Sequence, residues 1–426
     1  RRVDTAGADA DALREAIEEH GRAAQAELDP YRGDLVRAVW FDAGAEAGRL
    51  LLLVHHLAVD AVSWQPLLGD LRAAWEGEAL EPVGTSLRRW STLLGEEASR
   101  RTGELPFWRS VLETPDPLLG DRPLDPAIDV RAKAGTVTLT LPADVTEALL
   151  TSPSAAVRAG ARDVLVTGLS LAVAAWRGRR GVDDSALLLE LEGHGREDIV
   201  PGLDLSRTVG WFTSAFPVRV DPGGADGVRA LKLVKEQLRA VPGNGLGYGL
   251  LRHRDPGSTA ELAAYGRPQL GFNYLGRYAA PELADWAPAP EAPALGAGFD
   301  GTAPLGLGIE LDAVIVDHTR GAQLVATWTW SKALLAEDDV RELAHGWFAS
   351  LADLAAVEGG GLTPSDLPLV DLSQGDIEAL EGALPDLVDV LPLAPLQEGL
   401  LFHALYDSGA DLYSVQEVFA LRGPLD

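Results

Sequence analysis

Two segments of this chain supply residue types suited to moving a proton on carbon. Glu192-Gly193-His194-Gly195-Arg196-Glu197 offers a carboxylate, and His55-His56-Leu57-Ala58-Val59-Asp60 offers an imidazole from a distant part of the sequence. Reaching both faces of one carbon requires such a pair, one group acting as base and the other as acid. Glu190 and Glu192 alternate with Leu189 and Leu191, so both acids share one face of an otherwise apolar strand. A carboxylate in apolar surroundings has its pKa raised, which suits a base working near neutrality. The plainer reading of Glu192 is a solvated loop acid. Two glycines around His194 imply a tight turn with close backbone approach.

His55 and His56 are placed at a strand end, where side chains alternate and only one can face a given cleft. That geometry argues against joint metal ligation. The plainer reading is one core and one surface histidine. Asp60, Ser63 and Trp64 follow at once and favour a functional reading. Asp60 is read as structural, accepting backbone N–H bonds or holding an arginine. Arg207 is a candidate partner for it, or for a phosphate. Arg196 is expected to pair with Glu197 or Asp198. Trp211 and Phe212 are read as core. Asn273 and Tyr274 sit side by side on a strand, and one of them could donate to an oxyanion. The glycines of Pro242–Gly249 lack dinucleotide-binding spacing. Gly168-Leu169-Ser170 loosely mimics a nucleophile elbow, but it lies inside an apolar helix.

Alternating elements must position these residues. Helices are expected over 8–27, 66–75, 162–176, 226–240 and 337–356. Strands are expected over 34–42, 49–56, 136–141, 186–191, 214–220 and 269–275, with a hairpin formed by 307–316 and 322–330. Pro217 places 214–220 at an edge or bulge. Residues 113–135 read as a connecting segment. The pattern suggests two α/β lobes. Domain boundaries are set at 1–125 and 126–356 for the lobes and 357–386 for a linker, with 387–426 starting a fresh apolar pattern.

The chain has 426 residues, 36 basic and 64 acidic, for a formal net charge of −28. Such a balance argues against nucleic-acid binding and against attraction to anionic membranes. With no cysteine, disulfides, thiolate catalysis and Cys metal sites are excluded. Apolar runs fall short of a membrane span and no signal peptide is visible, so the cytoplasm is the expected compartment. Methionine is absent even at position 1, which suggests a chain cut from a longer polypeptide.

Taken together, HHLAVDAVSW (55–64), DVLVTGLSLAVAAW (163–176), EGHGRE (192–197), RTVGWFTSAFPVRV (207–220), PGNGLGYGLLR (242–252) and FNYLGR (272–277) resemble an epimerization domain of a nonribosomal peptide synthetase. The histidine motif alone would indicate only the wider condensation superfamily. EGHGRE, RTVGWF and FNYLGR are what separate the epimerizing branch. The resemblance covers about residues 1–355. It implies an α/β fold of two chloramphenicol-acetyltransferase-like lobes, a V-shaped pseudo-dimer around a central tunnel. It also implies an aminoacyl or peptidyl thioester substrate on the phosphopantetheine of an upstream carrier domain, with no cofactor or metal bound by the domain itself. It assigns catalytic roles to His56, Glu192, Asn273 and Tyr274, with support from His55, Asp60, Trp64 and Arg207.

Two departures from the pattern stand out. Ala61 replaces a common glycine, and the family's opening strand and helix do not precede Arg1. DVLPLAPLQEGLLFH (389–403) resembles the start of a downstream condensation domain. Arg177, Arg179 and Arg180 are a candidate carrier-docking patch. The rival readings are a condensation domain forming a peptide bond and an inactive spacer.

Overall fold

The computed structural model describes residues 1–279, 285–292, 300–357, 359–406 and 415–423. It divides into two compact units, 1–360 and 361–426.

In the first unit, β1 (Arg2–Asp4), β2 (Val36–Asp42) and β3 (Arg49–Val54) form a three-stranded sheet. Its inward residues Val39 and Phe41 pack with Ile17 and Ala24 of the helix Ala10–Ala26. Asp9 caps that helix through Ala12 N (2.9 Å), satisfying an amide with no partner inside the helix.

The larger sheet contains β4 (Ala134–Leu141), β5 (Leu187–Gly193), β6 (Ser214–Val220), β7 (Leu270–Ala279), β8 (Ile309–His318) and β9 (Gly321–Ser331). The strand order is β4-β9-β8-β7-β5-β6. As expected, β6 is an edge strand carrying Pro217, and β8 and β9 form a hairpin.

Every second residue of these strands is apolar. Leu189, Leu191, Phe272, Leu311, Trp328 and Val137 are buried with the helices Ala161–Arg179 and Glu337–Ala355 in the main core. Burying one large apolar side chain contributes about 1.5–3 kcal/mol before entropy is counted. Period-two alternation therefore sends the intervening residues to the opposite face, and these are polar: Glu190, Glu192, Asn273, Glu310, Asp312, Thr327, Thr329, Thr136 and Thr138. Ser170 is buried inside the helix Ala161–Arg179 and bonds Thr167 O, so it is no nucleophile elbow.

The 113–135 segment is held closely to the large sheet. Asp129 is buried and accepts from Ser331 Oγ (2.6 Å) and Arg122, and Leu119 N donates to Gln269 (3.0 Å).

In the second unit, the stretch read as linker carries structure of its own. Ser373 and Asp376 form a capping box that starts the helix Gln374–Ala383. Ile377 of that helix packs with Leu362 and Leu367. The helix Pro395–Tyr406 follows, with Leu396, Phe402 and Leu405 exposed.

Candidate functional site

Glu192 lies near the end of β5 on the polar face of the sheet. Leu191 pairs with Phe272 of β7, so Glu192 sits beside Asn273, and Asn273 pairs with Asp312 of β8. Glu192, Asn273 and Asp312 thus form one row across three strands. Tyr274 alternates away from this row and packs against the main core. Burial pushes its phenol pKa up, with Tyr278 adding to the effect and Arg277 opposing it. The structure therefore brings Asn273 to Glu192 and turns Tyr274 to the other face of the strand.

The Glu192 carboxylate makes no hydrogen bond or ion pair among the described residues. Its side chain is reached by solvent, yet the surrounding protein strips much of its hydration. Neighbouring strands displace part of the water around the carboxylate while leaving the side chain exposed. Desolvation, then the charges of Asp312, Glu190 and Glu310, raise its pKa to about 7 against a weaker opposing pull from Arg267.

The histidine segment differs from the sequence expectation. β3 ends at Val54, and His56 begins a short 3-10 turn, His56–Ala58. His55 caps that turn, its Nδ1 accepting from Leu57 N at 3.2 Å. A turn rather than strand alternation therefore sets the two imidazoles apart. His56 is exposed and packs on Trp211, with ring centroids 4.7 Å apart. Trp211 was expected in the core, but it is 48% exposed, whereas its neighbour Phe212 is buried. Trp64 is half-buried at the start of the helix Trp64–Glu76.

Asp60 is buried, and its partner is Arg196 rather than Arg207. Arg196 Nη1 and Nη2 donate to Asp60 Oδ2 (2.8 Å) and Oδ1 (3.1 Å). Nη2 also reaches Ser63 Oγ (2.9 Å) and Thr208 O (3.1 Å), and the guanidinium lies over the Phe212 ring. Ser63 N and Phe212 N complete the carboxylate's shell at 2.8 and 3.1 Å. Burial works to raise the Asp60 pKa, but these bonds together bring it below the ordinary carboxylate value. Arg207 pairs instead with Asp70 (2.6 Å). The reason is positional. The turn after Glu192 delivers Arg196 to Asp60, while Arg207 lies toward the helix that carries Asp70.

That turn is tightly constrained. Gly195 has φ +64°, and a Cβ there would lie 1.7 Å from Phe212 O. Asn244, at φ +51°, donates to Glu197 (2.8 Å), so the glycine-rich segment braces the same turn. Glu192 and His56 therefore each lie four residues from one member of the Arg196–Asp60 pair.

The sequence reading did not single out Glu310 and Asp312. Their signal was visible: Ile309-Glu310-Leu311-Asp312 spends charges on alternate positions of a buried strand, as β5 does. The proposed basic patch is internally neutralised. Arg177 is buried on Asp116 (3.0 Å) and Ala186 O, Arg179 pairs with Glu342 (2.7 Å), and Arg180 pairs with Asp339 (2.6 Å) and Glu342 (2.7 Å). Among the described residues no His/Asp/Glu group could hold a metal, and no single helix is long and apolar enough to cross a membrane.

An α/β fold with this histidine turn and buried Asp–Arg pair defines a condensation-type domain. A family model described as "Condensation domain" matches residues 1–283, and the chain belongs to that family. It is 38% identical over 420 residues to one of the linear gramicidin synthase polypeptides of Brevibacillus parabrevis, covering 94% of this chain and 5% of that one. It is 37% identical over 419 residues to chondramide synthase cmdD of Chondromyces crocatus, covering 92% of this chain and 10% of that one. The chain spans 5–8% of the length of the first curated relatives it matches. Among solved structures it is similar to the epimerization domain from the third module of tyrocidine synthetase B, with TM-score 0.69 and 26% identity, covering 83% of this chain and 78% of that one. The condensation domain of the Monacolin K polyketide synthase MokA, at 15% identity and TM-score 0.57, shares the fold.

Proposed function

We propose that this chain is an epimerization domain of a nonribosomal peptide synthetase. It takes an aminoacyl or peptidyl thioester on the phosphopantetheine arm of an upstream carrier domain and converts the L-configured residue to an L/D mixture. The carrying observation is Glu192: an unpaired carboxylate with a pKa near 7, beside the amide of Asn273. A base that both removes and returns a proton at neutral pH is best placed when its own pKa is near the working pH. Similarity to the tyrocidine synthetase epimerization domain supports the same reading.

The α-proton of a thioester is far less acidic than any side chain. Its removal depends on stabilising the enolate oxygen as charge develops, and one well-placed donor contributes about 3 kcal/mol. Glu192 takes the proton from one face. Asn273 Nδ2 serves the enolate oxygen from the same row. His56 delivers or accepts the proton on the opposite face, held by Trp211. Asp60 and Arg196 fix the two segments on which these groups ride. Tyr274, on the core side of β7, supports the strand that carries Asn273. The domain supplies these groups itself and binds no cofactor; the phosphopantetheine belongs to the carrier. A condensation domain follows it in the parent polypeptide and accepts the D-configured residue.

Chiral analysis of the aminoacyl group released from a loaded upstream carrier domain tests the reading. The expected result is conversion of L to an L/D mixture. Retained L configuration, with peptide formed when a second loaded carrier is added, would assign peptide-bond formation instead. Neither product would leave a spacer.

A further inference from the structure

Beyond Glu192, the row across the sheet contains a second carboxylate whose surroundings differ from those of its neighbours. Glu190 is paired with Arg267, Nη2–Oε1 at 2.5 Å. Glu310 lies 3.6 Å from Arg131. Asp312 forms no ion pair among the described residues, although the charge of Arg131 reaches it, and its neighbour across the strand pair is the neutral carboxamide of Asn273. It is half-buried on the polar face of β8. A strand with a packed opposite face has no structural need for an unpaired carboxylate here, since Thr327 and Thr138 extend the same row with neutral hydroxyls 3.1 Å apart.

We propose that Asp312 is a positioning residue for Glu192, acting through the Asn273 carboxamide and through its own negative charge. The proposal rests on the epimerase reading above and deepens it. The first effect is geometric. Burial, with the charge of Glu310 adding to it, raises the Asp312 pKa, and the bond to Asn273 and the charge of Arg131 oppose that rise. Toward the ionised carboxylate, which can only accept, the amide Nδ2 is the donor. That bond occupies one amide hydrogen and fixes the carboxamide plane, leaving the second hydrogen for a substrate oxygen. The second effect is electrostatic. The groups acting on Glu192 are Glu190 on its own strand, Asn273 on β7, Arg267 just before β7, and Glu310 and Asp312 on β8. Ser214 and Ala215 of β6 bring no charge. Arg267 pairs with Glu190, and Arg131 lies beside Glu310 and acts on Asp312 as well; of the acids around Glu192, Asp312 is the charge that most disfavours its ionisation.

The test is the pH dependence of α-proton exchange with solvent deuterium on a carrier-bound aminoacyl thioester, followed by mass spectrometry. Asp312→Asn removes the charge and keeps the shape; Asp312→Glu keeps the charge. For Asp312→Asn the acidic limb should move about one pH unit lower, because Glu192 then ionises more readily, and the plateau rate should fall several-fold because a weaker base remains. Asp312→Glu should keep the limb where the parent has it. A merely structural residue would lower the rate and leave the limb in place. Asp312→Thr, matching the neighbouring threonine row, serves as a second neutral variant. An unmoved limb in a folded neutral variant overturns the proposal. So does failure of both neutral variants to fold, which would make Asp312 a structural residue. If the parent protein exchanges no α-proton at any pH, the epimerase reading itself fails. Parent exchange that depends on Glu192 but not on Asp312 removes this proposal alone.

Discussion

Arg196 and Asp60 form a forked, buried ion pair, 2.8 and 3.1 Å long, that ties the histidine turn to the segment after Glu192. The two residues are 136 positions apart in sequence. Each lies four residues from a group proposed to act on the substrate, so the pair fixes a relationship that no local structure could fix.

Removing Arg196 leaves a desolvated carboxylate without its counter-charge. Arg196→Met should cost about 3 kcal/mol of stability, the low end for a broken buried pair, because Ser63 N and Phe212 N still serve Asp60. Denaturant unfolding at neutral pH reads this directly, and a loss below about 1 kcal/mol would contradict it. Asp60 has a lowered pKa, so its contribution is present above the unfolded value of about 4 and is lost as pH falls through the folded one. The gap between parent and variant should therefore narrow in acid.

Glu192 works in the opposite sense. Its folded pKa, about 7, lies above the ordinary 4.5. The native state then holds a proton that the unfolded chain has already released, so this group lowers stability as pH climbs through that window. Glu192→Gln should melt at a higher temperature than the parent at pH 8, with the difference vanishing near pH 4. Equal melting temperatures across that range would show that Glu192 is not desolvated in the folded protein.

Gly195→Ala should unfold or strongly destabilise the first unit. The site has φ +64°, and the added Cβ would lie 1.7 Å from Phe212 O, a backbone atom that cannot swing aside. A loss above about 2 kcal/mol is expected, or no soluble protein. A variant that folds with parent stability would contradict this turn geometry.

Trp211→Ala separates stability from activity. Trp211 is 48% exposed and its ring lies against His56. Thermal stability should change by about 1 kcal/mol or less, while the rate of α-carbon inversion drops about tenfold as the imidazole loses its wall. Unchanged turnover would mean that His56 is positioned by other groups.

The strands and helices were largely legible because burial writes itself into period two and period 3.6. Glu190 and Glu192 stood out for the same reason, and Pro217 correctly placed β6 at an edge. What escaped was long-range. No local pattern says that Asp60 will meet Arg196 rather than Arg207, since that depends on the Gly195 turn docking against Phe212 O. Likewise, Tyr274 and Asn273 are neighbours in sequence but lie on opposite faces of β7, one against the core and one beside Glu192. The Arg177, Arg179 and Arg180 cluster looks basic in sequence and is neutral in the fold, because Asp116, Asp339 and Glu342 arrive from other elements. The stretch 357–386 has a linker's composition, yet it carries a helix that a capping box starts and that Ile377 packs onto Leu362 and Leu367.

Solvent-deuterium incorporation at the α-carbon of a carrier-loaded aminoacyl thioester, compared between the parent protein and Glu192→Gln, tests the central claim most directly. The parent should wash in deuterium and the variant should lose this by about a thousandfold or more while still binding the loaded carrier. Exchange by Glu192→Gln at the parent rate would contradict the account.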